Sequence, residues 1–262
     1  MVEKQDTGPN KSNLSEVEHW DKSWSKSPRP RLPSSLLVGT LNLKRLLRLH
    51  VKPGAQFLEI GCAPGKMLVW VEKVLNAIVT GVDYSKTGIN LAQALFDALD
   101  AKGELIYEDI FSYPFKPATF DVVYSAGVIE HFDDPREIVR IHVDLLKPGG
   151  KALITVPNLG GIYGRILGYC DPENLALHNL RIMTPAALRQ LVPEDLAGEV
   201  RAYPAGSVSV TMVRLGSRFP SVIANAAFYG VNLLGILQPF DIFALCPMLV
   251  LEITRRMSPR QG

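Results

Sequence analysis

Cysteine is scarce in this 262-residue chain, and the three present, Cys62, Cys170 and Cys246, stand far apart with no C-x-x-C pair. That spacing excludes a structural zinc knuckle and a disulfide framework, and it suits a reducing, cytoplasmic setting. Charge of one sign is lacking too: 28 lysines and arginines face 26 aspartates and glutamates, a formal net charge of +2. No strong field invites nucleic acid, and no aromatic-basic stripe is present. The local basic run Lys44, Arg45, Arg48 and Lys52 reads as a solvated helix face, with an anionic-substrate or lipid-headgroup patch as the alternative. Phosphate-gripping motifs are absent, since Gly65-Lys66 runs into Met67 and no G-x-G-x-x-G occurs. The apolar stretch Val222 to Leu237 has 16 residues, short of the ~20 that a membrane-spanning helix needs. Residues 1–35 are polar and proline-bearing, so a partly disordered extension is expected there (1–13 disordered) and not a signal peptide.

What the sequence does hold is an alternation of short apolar strands and helical stretches. Strands are predicted at 56–60, 78–82, 105–108, 120–124 and 151–156, with helices at 67–75, 86–101 and 134–146 between them. Helices at 16–24 and 36–49 precede this block; a Thr184-capped helix at 184–191 and strands at 199–204 and 248–255 follow it. The pattern specifies an α/β fold with a doubly wound, mostly parallel sheet covered on both faces. In such sheets ligands bind beyond the carboxyl ends of the strands. Glu59, Gly61, Cys62, Ala63 and Gly65 fall there, as do Asp83 with Tyr84, Asp109 with Ile110, and Ser125, Ala126 and Gly127. Gly61 and Gly65 allow a tight turn, and Asp83 follows Glu59 by 24 residues, the spacing at which a second-strand acid reaches a ribose diol.

Five ordered blocks between Phe57 and Asn158 resemble the class I S-adenosylmethionine-dependent methyltransferases. They are Glu59-Ile-Gly-Cys-Ala-Pro-Gly65, with Ala63 where glycine is commoner; Asp83; Tyr107-Glu-Asp109-Ile110; Phe120 to Phe132; and Leu145 to Gly150 with Ala152 to Asn158. The resemblance is nearest to the small-molecule branch containing quinone O-methyltransferases and sugar or polyketide tailoring enzymes. It implies a Rossmann-like seven-stranded sheet with an antiparallel last strand, in a domain spanning 36–262. It also implies S-adenosyl-L-methionine as cosubstrate, with Asp83 on the ribose, Asp109 and the following amide on adenine, and an N-terminal segment folded over the cofactor cleft. A surface strap anchored by Trp20 and Trp24 is the alternative for that segment. Segments 159–195 and 205–247 are then acceptor-side and lid insertions.

The expected chemistry is O-methylation of a small acceptor: a quinone, saccharide, lipid or polyketide-like molecule. His131, just after the fourth strand, is a candidate general base, with a helix-packing role as the even alternative; His178 is a second candidate. His142 reads as a helix-surface residue, and His50 precedes a turn. No His/Asp cluster argues for a metal, although Asp133-Asp134 beside His131 leaves an opening for a divalent ion. The 222–237 stretch is expected to be a buried or lid helix that walls an apolar acceptor pocket. A peripheral membrane contact or a homodimer face are its alternatives. RNA or protein methylation is the rival activity, and the missing Asn/Asp-Pro-Pro-Tyr/Phe signature counts against amino-group methylation of that kind. A non-catalytic, cofactor-binding interaction subunit is the remaining class.

Overall fold

A computed structural model describes residues 14–26, 31, 32, 34, 36–238 and 242–257. Helices α1 (Val17–Ser25) and α2 (Val38–His50) lead into β1 (Gln56–Ile60), α3 (Lys66–Leu75), β2 (Ile78–Asp83), α4 (Lys86–Ala98), β3 (Glu104–Tyr107) and β4 (Phe120–Ala126). Then come α5 (Arg136–Asp144), β5 (Leu146–Pro157), α6 (Ile162–Cys170), α7 (Pro172–Ala176), α8 (Pro185–Arg189), β6 (Ala197–Ala205), α9 (Ser221–Leu237) and β7 (Met248–Arg255). The expected disorder at 1–13 lies outside the described residues.

Seven strands share one sheet in the order β3-β2-β1-β4-β5-β7-β6, with β7 antiparallel to both neighbours and β1 to β5 parallel. Consecutive core residues of one strand feed opposite faces, which is why the central strands read as unbroken apolar runs. Phe57, Val79, Tyr124 and Leu153 pack with Leu68, Val69 and Leu95 on one side. Leu58, Val123, Ile154 and Leu251 pack with Ile138, Val139 and Leu167 on the other.

Among the boundaries that differ from expectation, two have clear local reasons. Helix α4 stops at Ala98 because Asp100 enters the left-handed region (φ 47°) and the Ala101 amide closes on the Phe96 carbonyl at 2.9 Å. Strand β5 starts at Leu146, which pairs with Phe120 before the register shifts to Val122↔Lys151, so the Pro148-Gly149-Gly150 segment lies within the strand.

The 206–247 insertion leaves from Ala205 and returns at Met248, which pair with each other, and Met248 also pairs with Pro157. It therefore sits on the edge where β1, β2 and β4 end. Its helix α9 is not buried as expected. Among its residues Ala224 and Gly235 are buried, and Val222, Leu234 and Leu237 are exposed. The reason is steric. Gly235 lies so close to the backbone that an added Cβ would stand 2.3 Å from the Val208 carbonyl oxygen, so the helix seats on small residues and turns its large ones outward. Lys44 is a second correction: it is buried, with its ammonium 5.2 Å above the Trp70 ring, and is not part of a solvated face.

Candidate functional site

The turn after β1 is built by backbone. Gly61 and Gly65 adopt φ +71° and +82°, the amides of Gly61 and Cys62 donate to the Val82 carbonyl (2.9 and 3.2 Å), and the Gly65 amide donates to Cys62 (2.7 Å). A Cβ on Gly61 would stand 2.6 Å from Val128 Cγ2, so glycine is required by both torsion and space. Asp83 locks this turn to the next one. Its Oδ2 accepts from the Ala63 amide at 3.0 Å and its Oδ1 from the Ser85 amide at 2.8 Å. Burial nonetheless outweighs those two amides and lifts the Asp83 pKa. Glu59 is buried beside it, and its pKa rises to about 8, first through desolvation and then through the Asp83 charge. Its Oε2 has no hydrogen-bond partner among the described residues.

The sheet brings most of the remaining candidates to the same edge. Ile60 pairs with both Val82 and Ser125, and Asp83 pairs with Tyr107, so the ends of β1, β2, β3 and β4 adjoin. Tyr84, Ala126 and Gly127 are half-buried there. Asp109 is exposed at the end of β3, where its Oδ1 accepts from the Phe111 amide at 3.0 Å, while Ile110 packs against the core. Two candidates present backbone alone. Cys62 is buried with its sulfur toward Gly81, where a Cβ would lie 2.7 Å from it, and burial pushes its thiol pKa up. The Ser125 side chain is fully buried and donates to His142 Nε2 at 2.9 Å, because His142 Nδ1 donates to the Ile138 carbonyl at 2.7 Å. His142 is thus interior, not on the helix surface as expected. Its place on the α5 stripe Ile138, Val139, His142, Val143 was the available signal.

Helix α1 spans the cleft from one turn to the other. Asp21 Oδ1 accepts from Ser85 Oγ (2.6 Å) and the Thr87 amide (3.0 Å) at the start of α4, and Trp24 lies against Gly88. At the other end the Leu14 amide donates to the His131 carbonyl at 2.6 Å, and the Trp20 ring stands edge-on to the His131 ring, 5.1 Å between centroids. Sequence reasoning placed the helix but could not choose between lid and strap; the contacts put it over the Asp83–His131 edge.

Glu130, His131 and His178 converge beneath Trp20, each with one ligating atom within 4.8 Å of the other two. His131 Nδ1 donates to the Leu177 carbonyl and His178 Nδ1 to that of Asn174, both at 2.8 Å, so each ring has its Nε2 lone pair free for another group. Desolvation lowers the His131 pKa to about 4, aided by His178, and burial also lowers that of His178. Burial raises Glu130 to about 8. Asn179 holds the segment in place, its amide donating to the Glu130 carbonyl (2.7 Å) and its side chain to those of Phe132 and Asp133. Asp133 and Asp134, where an ion was considered, are exposed and paired with Arg181 and Arg136.

Residues 58–154, which carry these turns, match the model of a methyltransferase domain. These residues form a domain of the class I S-adenosylmethionine-dependent methyltransferase family. An O-methyltransferase of Pyrenophora dematioidea is 29% identical over 167 residues, covering 63% of this chain and 60% of that protein. Phosphoethanolamine N-methyltransferase 3 of Arabidopsis thaliana is 34% identical over 107 residues, 41% of this chain and 22% of that one. The methyltransferase chain thus spans less than two thirds of the length of these relatives. In fold it is similar to the plantazolicin methyltransferase BpumL in complex with SAH, at TM-score 0.57 and 19% identity, covering 92% of this chain and 95% of that one. The cosubstrate of such a methyltransferase domain is S-adenosylmethionine. The residues fit it: Glu59 Oε2 is a buried acceptor without a donor, the Gly61 position admits no side chain, and each Asp83 oxygen retains a second lone pair.

Proposed function

We propose that this methyltransferase transfers the methyl group of S-adenosylmethionine to a hydroxyl oxygen of a small acceptor, with His131 as general base. S-adenosylmethionine would supply an electrophilic methyl on a sulfonium leaving group, so the protein's tasks are alignment, exclusion of water and removal of one proton. Glu59 would take the cosubstrate ammonium, Asp83 the ribose hydroxyls and Asp109 the adenine side. Trp20 and α1 would cover the cleft. The acceptor oxygen gains the methyl as its proton passes to His131 Nε2, and the sulfur keeps the electron pair.

The observation that carries this reading is the His131 ring, pinned through Nδ1 to the Leu177 carbonyl with Nε2 directed to other use. Its pKa of about 4 keeps it neutral, and therefore able to accept, throughout the physiological range. So weak a base suits a hydroxyl, which holds lone pairs while protonated and can lose its proton as the C–O bond forms. An ammonium has no lone pair until a stronger base has deprotonated it. That argument favours oxygen over nitrogen, although relatives of both kinds exist.

Radiolabelled methyl transfer from S-adenosylmethionine to a panel of phenols, quinols, sugars and phosphoethanolamine tests the proposal. Label is expected on hydroxyl acceptors, and His131→Ala should lower turnover by roughly 10²–10⁴-fold with little change in S-adenosylhomocysteine affinity. Label on the phosphoethanolamine nitrogen, or a loss below about tenfold, overturns it.

A further inference from the structure

Helix α9 is apolar on nearly every side and mostly bare. Val222, Leu234 and Leu237 are 78%, 63% and 68% exposed. Asn232 accepts from the Val38 amide at 2.8 Å and donates to the Leu36 carbonyl, which sets Leu36, 73% exposed, beside the C-terminal half of the helix. Uncovered apolar surface on this scale marks a contact site.

Charge identifies the partner. Residues 200–240 hold Arg201, Arg214 and Arg218 and no aspartate or glutamate; residues 22–58 hold seven lysines and arginines besides the buried Lys44, and again no acid. These two segments supply α9 and the α2 start on which it rests, in a chain whose total charge is close to balanced. Arg214 is engaged with Asp171 at 3.2 Å, while the exposed Arg218 guanidinium lies 5.0 Å over the exposed Tyr169 ring next to the helix N-terminus. Tyr229 on α9 is exposed as well, and such amphipathic rings favour a membrane–water boundary.

We propose that α9, with Leu36 and the basic residues around it, docks this protein on the surface of an anionic phospholipid bilayer. The apolar side chains enter the headgroup boundary and the basic rim meets lipid phosphates. No helix among the described residues is long and apolar enough to cross a membrane, so the helix lies in the plane of the surface. A second copy would cover the same leucines. A two-fold interface, however, sets each patch against itself and brings the acid-free segments together, an arrangement that like charges oppose. The bilayer complements both features. Since the insertion shares the sheet edge with the Asp83 and His131 turns, docking would place the cleft near the lipid phase; the proposal itself does not depend on the methylated atom.

Flotation with phosphatidylcholine vesicles, with and without phosphatidylglycerol, tests it on the full chain. The protein should rise with the anionic vesicles and lose that binding as salt increases. The Leu234→Ser/Leu237→Ser variant should bind about tenfold or more weakly, with S-adenosylhomocysteine affinity and circular dichroism unchanged. Arg218→Glu, which leaves α9 itself intact, should lose the preference for anionic lipid. Absence of flotation, equal binding to both vesicle types, or a dimer that Leu234→Ser/Leu237→Ser dissociates without any vesicle binding overturns the proposal.

Discussion

Replacing Asp83 probes the link between the two turns and the cosubstrate at once. In Asp83→Ala the Ala63 and Ser85 amides lose acceptors at 3.0 and 2.8 Å. Hydrogen bonds to a charged group contribute ~1.5–3 kcal/mol each, and a buried donor left unmatched costs ~1–3 kcal/mol. The glycine turn should therefore lose ~2–5 kcal/mol of stability, so this residue is structural as well as ligand-facing. Loss of the ribose contacts should weaken S-adenosylhomocysteine by a further ~2–3 kcal/mol, roughly 30- to 150-fold. Asp83→Asn separates the two effects. Its amide oxygen still accepts one backbone N–H while its NH₂ faces the other donor to donor, so stability should fall less than in Asp83→Ala and affinity should still fall severely. Calorimetric titration with S-adenosylhomocysteine, paired with urea unfolding, reads both quantities. An Asp83→Ala protein that binds within about threefold of the parent would refute the assignment, because even one charge-assisted bond is worth more than that.

Gly61→Ala forces a side chain into the left-handed region at ~1–2 kcal/mol and against Val128 Cγ2, so binding should collapse. Val128→Ala in the same chain should recover part of it; no recovery would mean that the clash is not the cause. Glu59, with a pKa of about 8 in the free protein, must give up its proton to pair with an ammonium. Below pH 8 cosubstrate binding should release up to one proton, visible as a buffer-dependent calorimetric enthalpy, and affinity should rise with pH; Glu59→Gln should abolish both effects. His142 is neutral and buried, its pKa lowered from 6.5 to about 4 by desolvation. A base with a depressed folded pKa binds protons preferentially when unfolded, so stability is complete above pH 6.5 and falls as pH drops toward 4, by about 3 kcal/mol in total. Urea titrations across that window should show a slope that shrinks in His142→Gln.

Strand order, the helices other than α6 and α7, the turn glycines Gly61 and Gly65 and the acid at the end of β2 were legible in sequence. Each is encoded locally: Phe57, Leu58 and Ile60 are apolar because both faces of a central strand are covered, and Gly61 and Gly65 answer torsions that other residues resist. What a side chain meets across the fold is not written in its own neighbourhood. Ser125 looked like a ligand contact and turned inward to His142, because alternate residues of β4 face opposite layers. Lys44 looked solvated and found the Trp70 ring. Asp83 looked like a ribose acid and also holds two backbone amides. The Glu130–His131–His178 cluster joins residues 47 positions apart through Asn179 and the Leu177 carbonyl. Helix α9 shows the limit most plainly. Composition alone predicts that so apolar a helix must be covered, but only tertiary packing decides by what, and the sheet's two layers were already filled by the other helices.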